Sequence, residues 1–102
     1  MKIPDDPVIR ELLPEFIDTW INDIETQFHK LMTEKNSEDM YRLAHTIKGS
    51  CFQFGIDEIA QIGIELMGYM KESNWDKAVG MDEILLTEFK KVKNLIESGA
   101  PI

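Results

Sequence analysis

The stretch SEDMYRLAHTIKGSCFQFG, residues 37–55, carries the pattern that decides the fold. Its apolar residues recur every three or four positions, which is the spacing of one face of an α-helix. Asn36 or Ser37 is suited to cap the start of such a helix, and Gly55 is suited to end it. We therefore predict an amphipathic helix whose inward face is formed by Met40, Leu43, Ala44, Ile47, Cys51 and Phe54.

Three further stretches show the same helical period, at residues 14–33, 57–72 and 81–97. Pro14 fits the first turn of a helix better than its interior, so residues 7–13 are predicted to form a separate short helix. No stretch alternates polar and apolar residues as a strand does. The sequence therefore predicts an all-α fold: an antiparallel up-and-down four-helix bundle with a short N-terminal capping helix.

The length of 102 residues fits one domain with one core. We expect this domain to span residues 1–102, with the bundle core at residues 14–97 and unstructured ends at residues 1–6 and 98–102. The initial methionine and the short ends favour a free-standing protein over a piece of a larger one. Gly63 falls on an inward helix face, where we expect it to let a neighbouring helix approach closely.

The composition argues against several classes of function. The net charge is −8, and a negative surface is not attracted to nucleic acid or to an anionic membrane. Cys51 is the only cysteine, so no internal disulfide can form, and a reducing compartment is the simplest interpretation. No signal peptide and no membrane-spanning apolar run is visible, and we place the protein in the cytoplasm.

The histidine of the opening stretch, His45, is predicted to face away from the core. Each residue turns an α-helix by about 100°, which places the centre of the apolar face roughly 200° from His45. Lys48 and Gly49 lie on the same outer side, within side-chain reach. The remaining residues of this outer surface are Glu38, Tyr41, Arg42 and Phe52.

This outer surface is an unusual set for a solvated helix face. A glycine inside a helix costs about 1 kcal/mol relative to alanine and normally has a reason. Gly49 leaves room beside His45 for another surface to approach, while Lys48 supplies positive charge. The set suits an imidazole that receives a bulky anionic group from a docked macromolecule, although a surface histidine without any function fits the residues equally well.

The motif HTIKGSC at residues 45–51, followed by Phe54 and Gly55, resembles the signature of histidine-containing phosphotransfer (HPt) domains. That signature is a histidine, two residues, Lys-Gly, two small residues, and then a hydrophobic residue with a glycine. The resemblance extends over residues 7–96 in the order of the helices and in the polar break before the last of them. A bare His-x-x-Lys-Gly would be a weak signal, but in this helical context the motif is specific.

The resemblance implies a role in two-component signalling. HPt domains carry a phosphoryl group between the aspartates of receiver domains in multistep phosphorelays. By this resemblance His45 accepts the phosphoryl group through its Nε2, Lys48 neutralises the charge of that group, and Gly49 gives the space for approach. A neutral imidazole is a usable nucleophile near neutral pH, which agrees with this chemistry.

The same resemblance implies the partners, which are response-regulator receiver domains, including those of hybrid histidine kinases. The receiver supplies the aspartyl phosphate and its bound Mg²⁺, so the chain itself is expected to need no cofactor and to work as a monomer. We expect a phosphocarrier rather than an enzyme, without autokinase activity, because no nucleotide-binding motif is present. Tyr41, Arg42 and Phe52 are expected to contact the receiver.

Three questions stay open at this level. Many HPt domains carry a polar residue, often Gln or Glu, where this chain has Met67, so water and Glu65 both remain candidates to hydrogen-bond the Nδ1 of His45. The main alternative function is a non-catalytic four-helix-bundle adaptor that binds a signalling partner through the same face. A weaker alternative is an antiparallel homodimer formed through Phe52.

The second histidine, His29, is interpreted as a surface residue one turn after Glu25. A carboxylate-bridged di-iron bundle would need Glu-x-x-His on its helices. Thr26 and Arg42 stand three residues before the two histidines, where those glutamates would be. We therefore predict no metal site.

Overall fold

A computed structural model of the chain describes residues 6–97. The expected unstructured lead-in and tail therefore fall outside the described residues, apart from Asp6. Asp6 caps the first helix, because its Oδ1 accepts a hydrogen bond of 2.9 Å from the amide of Val8. The helical elements are α1 (Pro7–Asp23), a π-helical turn (Ile24–Phe28), α2 (His29–Glu34), α3 (Ser37–Gln53), α4 (Asp57–Lys71), α5 (Trp75–Ala78) and α6 (Met81–Glu97).

Four helical rods make up the fold. The first rod runs from α1 through the π-helical turn into α2, and α3, α4 and α6 are the other three. Phe16 of α1 stacks on Phe54, just after α3, with ring centroids 4.2 Å apart. Leu31 of α2 and Asp39 at the start of α3 line one groove, so the first rod and α3 run antiparallel. The predicted all-α four-helix bundle is confirmed, and residues 6–97 contain no strand.

The predicted boundary at Pro14 is wrong. α1 is unbroken, so residues 7–13 are its first turns rather than a separate capping helix. A proline lacks the N–H of the helical hydrogen bond and crowds the preceding turn. Here the Pro14 ring is exposed, whereas Leu13 and Ile17 are fully buried. The packing of the apolar face therefore holds the helix together across the proline.

The π-helical turn is a feature that the apolar spacing does not reveal. Trp20, Ile24 and Phe28 follow one another at intervals of four residues, and all three are buried. In a regular α-helix that interval drifts around the axis by about 40° per step. The wider π turn offsets the drift, so these side chains stay on the core side. Thr26 donates a hydrogen bond of 2.9 Å from its Oγ1 to the carbonyl of Asn22.

The core takes apolar side chains from every long helix. Trp20 of α1 and Phe89 of α6 stack with ring centroids 6.2 Å apart. The opposite helix faces are polar, and within residues 6–97 no helix combines the length and the apolar character needed to cross a membrane. The largest fully buried side chains are those of Phe28, Phe89, Leu13, Ile17, Ile24, Met40, Ile47, Ile56, Ile59, Leu66, Leu85 and Val92.

The ends of α3 agree with the prediction. Asn36 caps its start, since its Oδ1 accepts a hydrogen bond of 3.1 Å from the amide of Asp39. Gly55 follows the helix with a φ of 75°, a left-handed conformation that suits glycine. The amide of Ile56 then donates to the carbonyl of Cys51 at 2.8 Å. This short turn leads into α4, and α3 and α4 pack along each other.

Candidate functional site

The two faces of α3 have opposite environments. Ala44 and Ile47 are fully buried in the bundle, whereas His45 and Gly49 are exposed. The predicted helical phase is therefore confirmed at the histidine. His45 lies between two buried residues on a helix that packs firmly against its neighbours, so its backbone is held in place while its side chain meets solvent.

The imidazole of His45 is accessible from solvent. Its ring lies beside that of Tyr41, one turn earlier, with centroids 6.4 Å apart and an angle of 29° between the planes. Among residues 6–97 no group hydrogen-bonds the imidazole, so both ring nitrogens are available to an incoming group. Tyr41 is half-buried and forms one wall of the surface around the histidine.

Lys48 and Gly49 complete the outward side of the same helix. Lys48 is half-buried, as expected for a side chain whose methylene stem lies along the protein while its charge stays in water. Gly49 is exposed, and no heavy atom lies within 4 Å of the position that a Cβ would occupy. Packing therefore does not require a glycine at this position, although a glycine makes the helix less stable than a larger residue would. The missing side chain leaves open space one turn from His45.

The back of this turn rests on α4. Gly63 is buried, and a Cβ placed on it would lie 3.0 Å from the carbonyl oxygen of Ala44 and 3.1 Å from the amide nitrogen of Lys48. The predicted close helix approach at Gly63 is confirmed. The sequence pattern did not indicate which residues of α3 it meets, because helical periodicity does not specify the register between two helices.

Tyr41, Arg42 and Phe52, the three residues expected to contact a partner, have different surroundings. Tyr41, His45 and Phe52 fall on one side of α3, since they are spaced by four and seven residues. Phe52 is a large apolar side chain with 41% of its surface exposed. Arg42 instead forms an ion pair of 2.8 Å with Glu38 and also lines the groove between α3 and the first rod. Its charge is therefore partly shared with a carboxylate of its own helix.

Met67 occupies the position on α4 where the family resemblance led us to expect a polar residue. It is half-buried and packs against the core, and its thioether is only a weak hydrogen-bond acceptor. Glu65, the other residue considered on α4, is exposed. Neither side chain hydrogen-bonds His45 in the structure, so the Nδ1 of the free protein is left to solvent.

Cys51 lies on the inward face of α3 and is fully buried. Burial raises the pKa of its thiol from the ordinary value of 9.0 to about 12, because the apolar surroundings disfavour the thiolate. The thiolate is the reactive form of cysteine. The predicted inward position of Cys51 is therefore confirmed, and we expect its thiol to be unreactive in the folded protein.

The other histidine lies in different surroundings. His29 is exposed at the start of α2, where it lines a surface pocket together with Asp82 and Glu83 of α6. No ion pair joins it to Glu25 within the described part of the chain. Residues 6–97 contain no group of three or more histidine, cysteine, aspartate or glutamate side chains arranged to hold a metal ion.

The fold and the site together define a class: an α-helical bundle that exposes a histidine beside a lysine and an open glycine. The family model of the Hpt domain matches residues 10–97. The chain therefore belongs to the Hpt domain family. Comparisons with curated proteins and with solved structures found no match. Hpt domains are in general phosphocarriers rather than enzymes, and they act in two-component phosphotransfer with receiver domains as partners.

Proposed function

We propose that this protein is a phosphorelay intermediate that accepts a phosphoryl group from a receiver-domain aspartate on His45 and passes it to a second receiver. The observation that carries the proposal is the exposure of His45 beside Lys48 and the open space at Gly49, on a helix whose other face is buried. Because the chain belongs to a family of phosphocarriers, phosphoryl transfer is the reaction that we assign to this surface.

The transfer step uses the neutral form of the imidazole, with its proton on Nδ1 and the lone pair of Nε2 free. Nε2 forms a bond to phosphorus while the bond from phosphorus to the aspartyl oxygen breaks, and the carboxylate leaves with that electron pair. The ring keeps its Nδ1 proton and is positively charged until that proton is lost. Transfer to the second receiver is the reverse reaction, with its aspartate carboxylate as the nucleophile.

Lys48 and Gly49 support this step without taking part in bond formation. Phosphoryl transfer depends mainly on positioning and on the stabilisation of charge spread over the phosphoryl oxygens. Lys48 supplies positive charge on the same side of α3 as His45, and Gly49 removes the side chain that would stand in the way of a docked receiver. Tyr41, Arg42 and Phe52 are the residues that we assign to contacts with the receiver.

The receiver brings what this chain does not supply, namely the aspartyl phosphate and a bound Mg²⁺. The donor and the acceptor belong to the class of response-regulator receiver domains, including those within hybrid histidine kinases. We propose that the protein works as a monomer in the cytoplasm, without a cofactor of its own and without autokinase activity.

The test is incubation of the protein with a panel of receiver domains charged by acetyl phosphate. At least one receiver is expected to label the protein with an acid-labile phosphoryl group and a second, unlabelled receiver to remove it. A protein that binds receivers but takes up no label would instead support the adaptor function. Failure of every receiver, with His45 still reactive towards a small phosphoryl donor, would contradict the proposed relay.

A further inference from the structure

Gly63 of α4 lies directly behind the turn of α3 that carries His45. The position of its missing Cβ is 3.0 Å from the carbonyl oxygen of Ala44 and 3.1 Å from the amide nitrogen of Lys48. In an α-helix these two atoms are the acceptor and the donor of one backbone hydrogen bond. That hydrogen bond encloses His45, so Gly63 rests on the backbone of the turn that holds the histidine.

A contact with backbone atoms has a consequence that a contact with a side chain does not. A side chain can rotate away from an added methyl group, but a helical carbonyl or amide moves only with its helix. The third neighbour, Cγ2 of Ile47 at 3.3 Å, belongs to a fully buried side chain and has little freedom either. A methyl group at Gly63 would therefore displace α3 relative to α4 by a few tenths of an ångström.

The other glycine within α4 shows that this arrangement is local. Gly68 is exposed, and no heavy atom lies within 4 Å of the position of its missing Cβ. A glycine in either place weakens the helix by up to about 1 kcal/mol relative to alanine. Only Gly63 is therefore required by close packing, and the packing that requires it is against the turn of His45 and Lys48.

We propose that Gly63 is a positioning residue for phosphotransfer. By letting α4 touch the backbone of residues 44–48, it sets how far His45 and Lys48 stand out from the bundle and hence where they meet a docked receiver. Gly63 itself touches neither the phosphoryl group nor the partner. This inference rests on the relay function proposed above.

The expected effect follows from the sensitivity of transfer reactions to geometry. A misplacement of about 1 Å at a reacting centre can cost on the order of 100-fold in rate, so a shift of a few tenths of an ångström predicts a loss of roughly 5-fold. A small donor that reaches the imidazole without a docked protein adapts to such a shift. Phosphoramidate, which phosphorylates histidine directly, therefore separates positioning from the reactivity of His45.

The experiment compares Gly63→Ala with Gly68→Ala in the full chain. Gly63→Ala is expected to slow transfer from a phosphorylated receiver by roughly 5-fold while phosphoramidate labels His45 at an unchanged rate. Gly68→Ala makes the same chemical change on the same helix and is expected to leave both rates unchanged. In heteronuclear NMR spectra the backbone amide signal of Lys48 should shift in Gly63→Ala and stay in place in Gly68→Ala.

A control for stability separates positioning from a weaker fold. Val92→Ala truncates a fully buried side chain of α6 and destabilises the bundle without adding an atom between α3 and α4. Measured well below its unfolding temperature, this variant is expected to keep the wild-type transfer rate. An equal loss of transfer in Val92→Ala and Gly63→Ala would overturn the proposal, because the loss would then follow stability.

Two other results would also overturn it. Gly63→Ala with wild-type transfer would show that the turn tolerates the shift, and Gly63→Ala that does not fold would show that the glycine serves the bundle as a whole. Failure of the relay function is recognised separately, because the wild-type protein would then accept no phosphoryl group from any receiver.

Discussion

The two exposed histidines of this protein lie in contrasting surroundings. His45 projects from the middle of α3, with Lys48 on the same side and open space at Gly49. His29 projects from the junction of the π-helical turn and α2, in a pocket that it shares with Asp82 and Glu83. Both imidazoles meet solvent, but His45 has Lys48 and the open space at Gly49 on its own side of the helix, whereas His29 shares its pocket with two carboxylates.

From this difference we expect that exposure alone does not make a histidine a phosphoryl acceptor, and that only His45 accepts the group. A phosphoryl group carries negative charge, so carboxylates beside His29 disfavour it, whereas the ammonium group of Lys48 favours it. A docked receiver also needs a surface that it can approach closely, which α3 provides at Gly49. Single substitutions can change these differences one at a time.

The largest effect is expected from removal of the acceptor itself. His45→Gln keeps a polar side chain on an exposed helical position, so helical content should be unchanged while labelling by a phosphorylated receiver is abolished. His29→Gln is the matched control and should be labelled as the wild type is. Gel-based counting of radiolabel together with circular dichroism measures both properties.

Labelling that persists in His45→Gln would contradict the assignment of His45 as the phosphoryl acceptor. If the residual label then disappeared in the double variant His45→Gln with His29→Gln, the acceptor would be His29 and the present assignment would be wrong. Loss of helical content in His45→Gln alone would instead mean that the histidine has a structural role that its exposure does not indicate.

A side chain at the open glycine should have the next largest effect. Gly49→Leu fills the space beside His45, so receiver transfer is expected to fall by roughly 100-fold, as for a partner held about 1 Å away from its position. Leucine favours a helix over glycine, so the melting temperature should rise. Thr87→Leu, which adds a leucine to an exposed position in the middle of α6, is the control and should transfer normally.

Removal of the neighbouring charge should have a smaller effect. Lys48→Ala is expected to slow transfer by roughly 10-fold, because the charge is only partly shielded from solvent and is therefore worth less than a buried one. The Kd for the receiver should change less than the transfer rate, since the charge acts on the phosphoryl group. Lys48→Arg keeps the charge and should recover most of the rate. Equal losses in binding and in transfer would contradict a role in charge stabilisation.

Cys51 lies on the buried face of α3, opposite the exposed face that carries His45. We expect its thiol to react very little in the folded protein. Its pKa is raised to about 12, so at pH 8 the folded protein holds almost no thiolate, whereas the unfolded chain, with a pKa near 9.0, holds an appreciable fraction. Iodoacetamide at pH 8 should therefore leave the native thiol unmodified and react in urea. Since the chain has one cysteine, mass spectrometry reads this directly. Rapid modification of the folded protein would contradict the burial of this face.

Much of the fold and of the site could be predicted because the spacing of apolar residues along the chain determines which side of each helix faces the core. Ala44 and Ile47 face inward and His45 faces outward because residues in a helix are separated by about 100°. The ends of α3 could be predicted from the capping side chains available at Asn36 and Ser37 and from the left-handed conformation that Gly55 can adopt. These features depend on near neighbours in the chain, which a single sequence displays.

The features that escaped prediction depend on tertiary packing. Pro14 stays inside α1 because the buried residues around it outweigh a local preference for a helix start. The turn at Ile24–Phe28 becomes π-helical because the core requires side chains four residues apart on one face. The position of Gly63 against Ala44 depends on the register between α3 and α4, which no local pattern contains.

The central claim is that His45 accepts the phosphoryl group through its Nε2, and one NMR measurement tests it most directly. The protein, labelled with ¹⁵N in its histidine rings, is phosphorylated by a charged receiver and examined for ³¹P–¹⁵N coupling. The account predicts coupling to the Nε2 of His45 and unchanged ring signals from His29. Coupling to a nitrogen of His29, or label on the protein without coupling to either histidine, would contradict it.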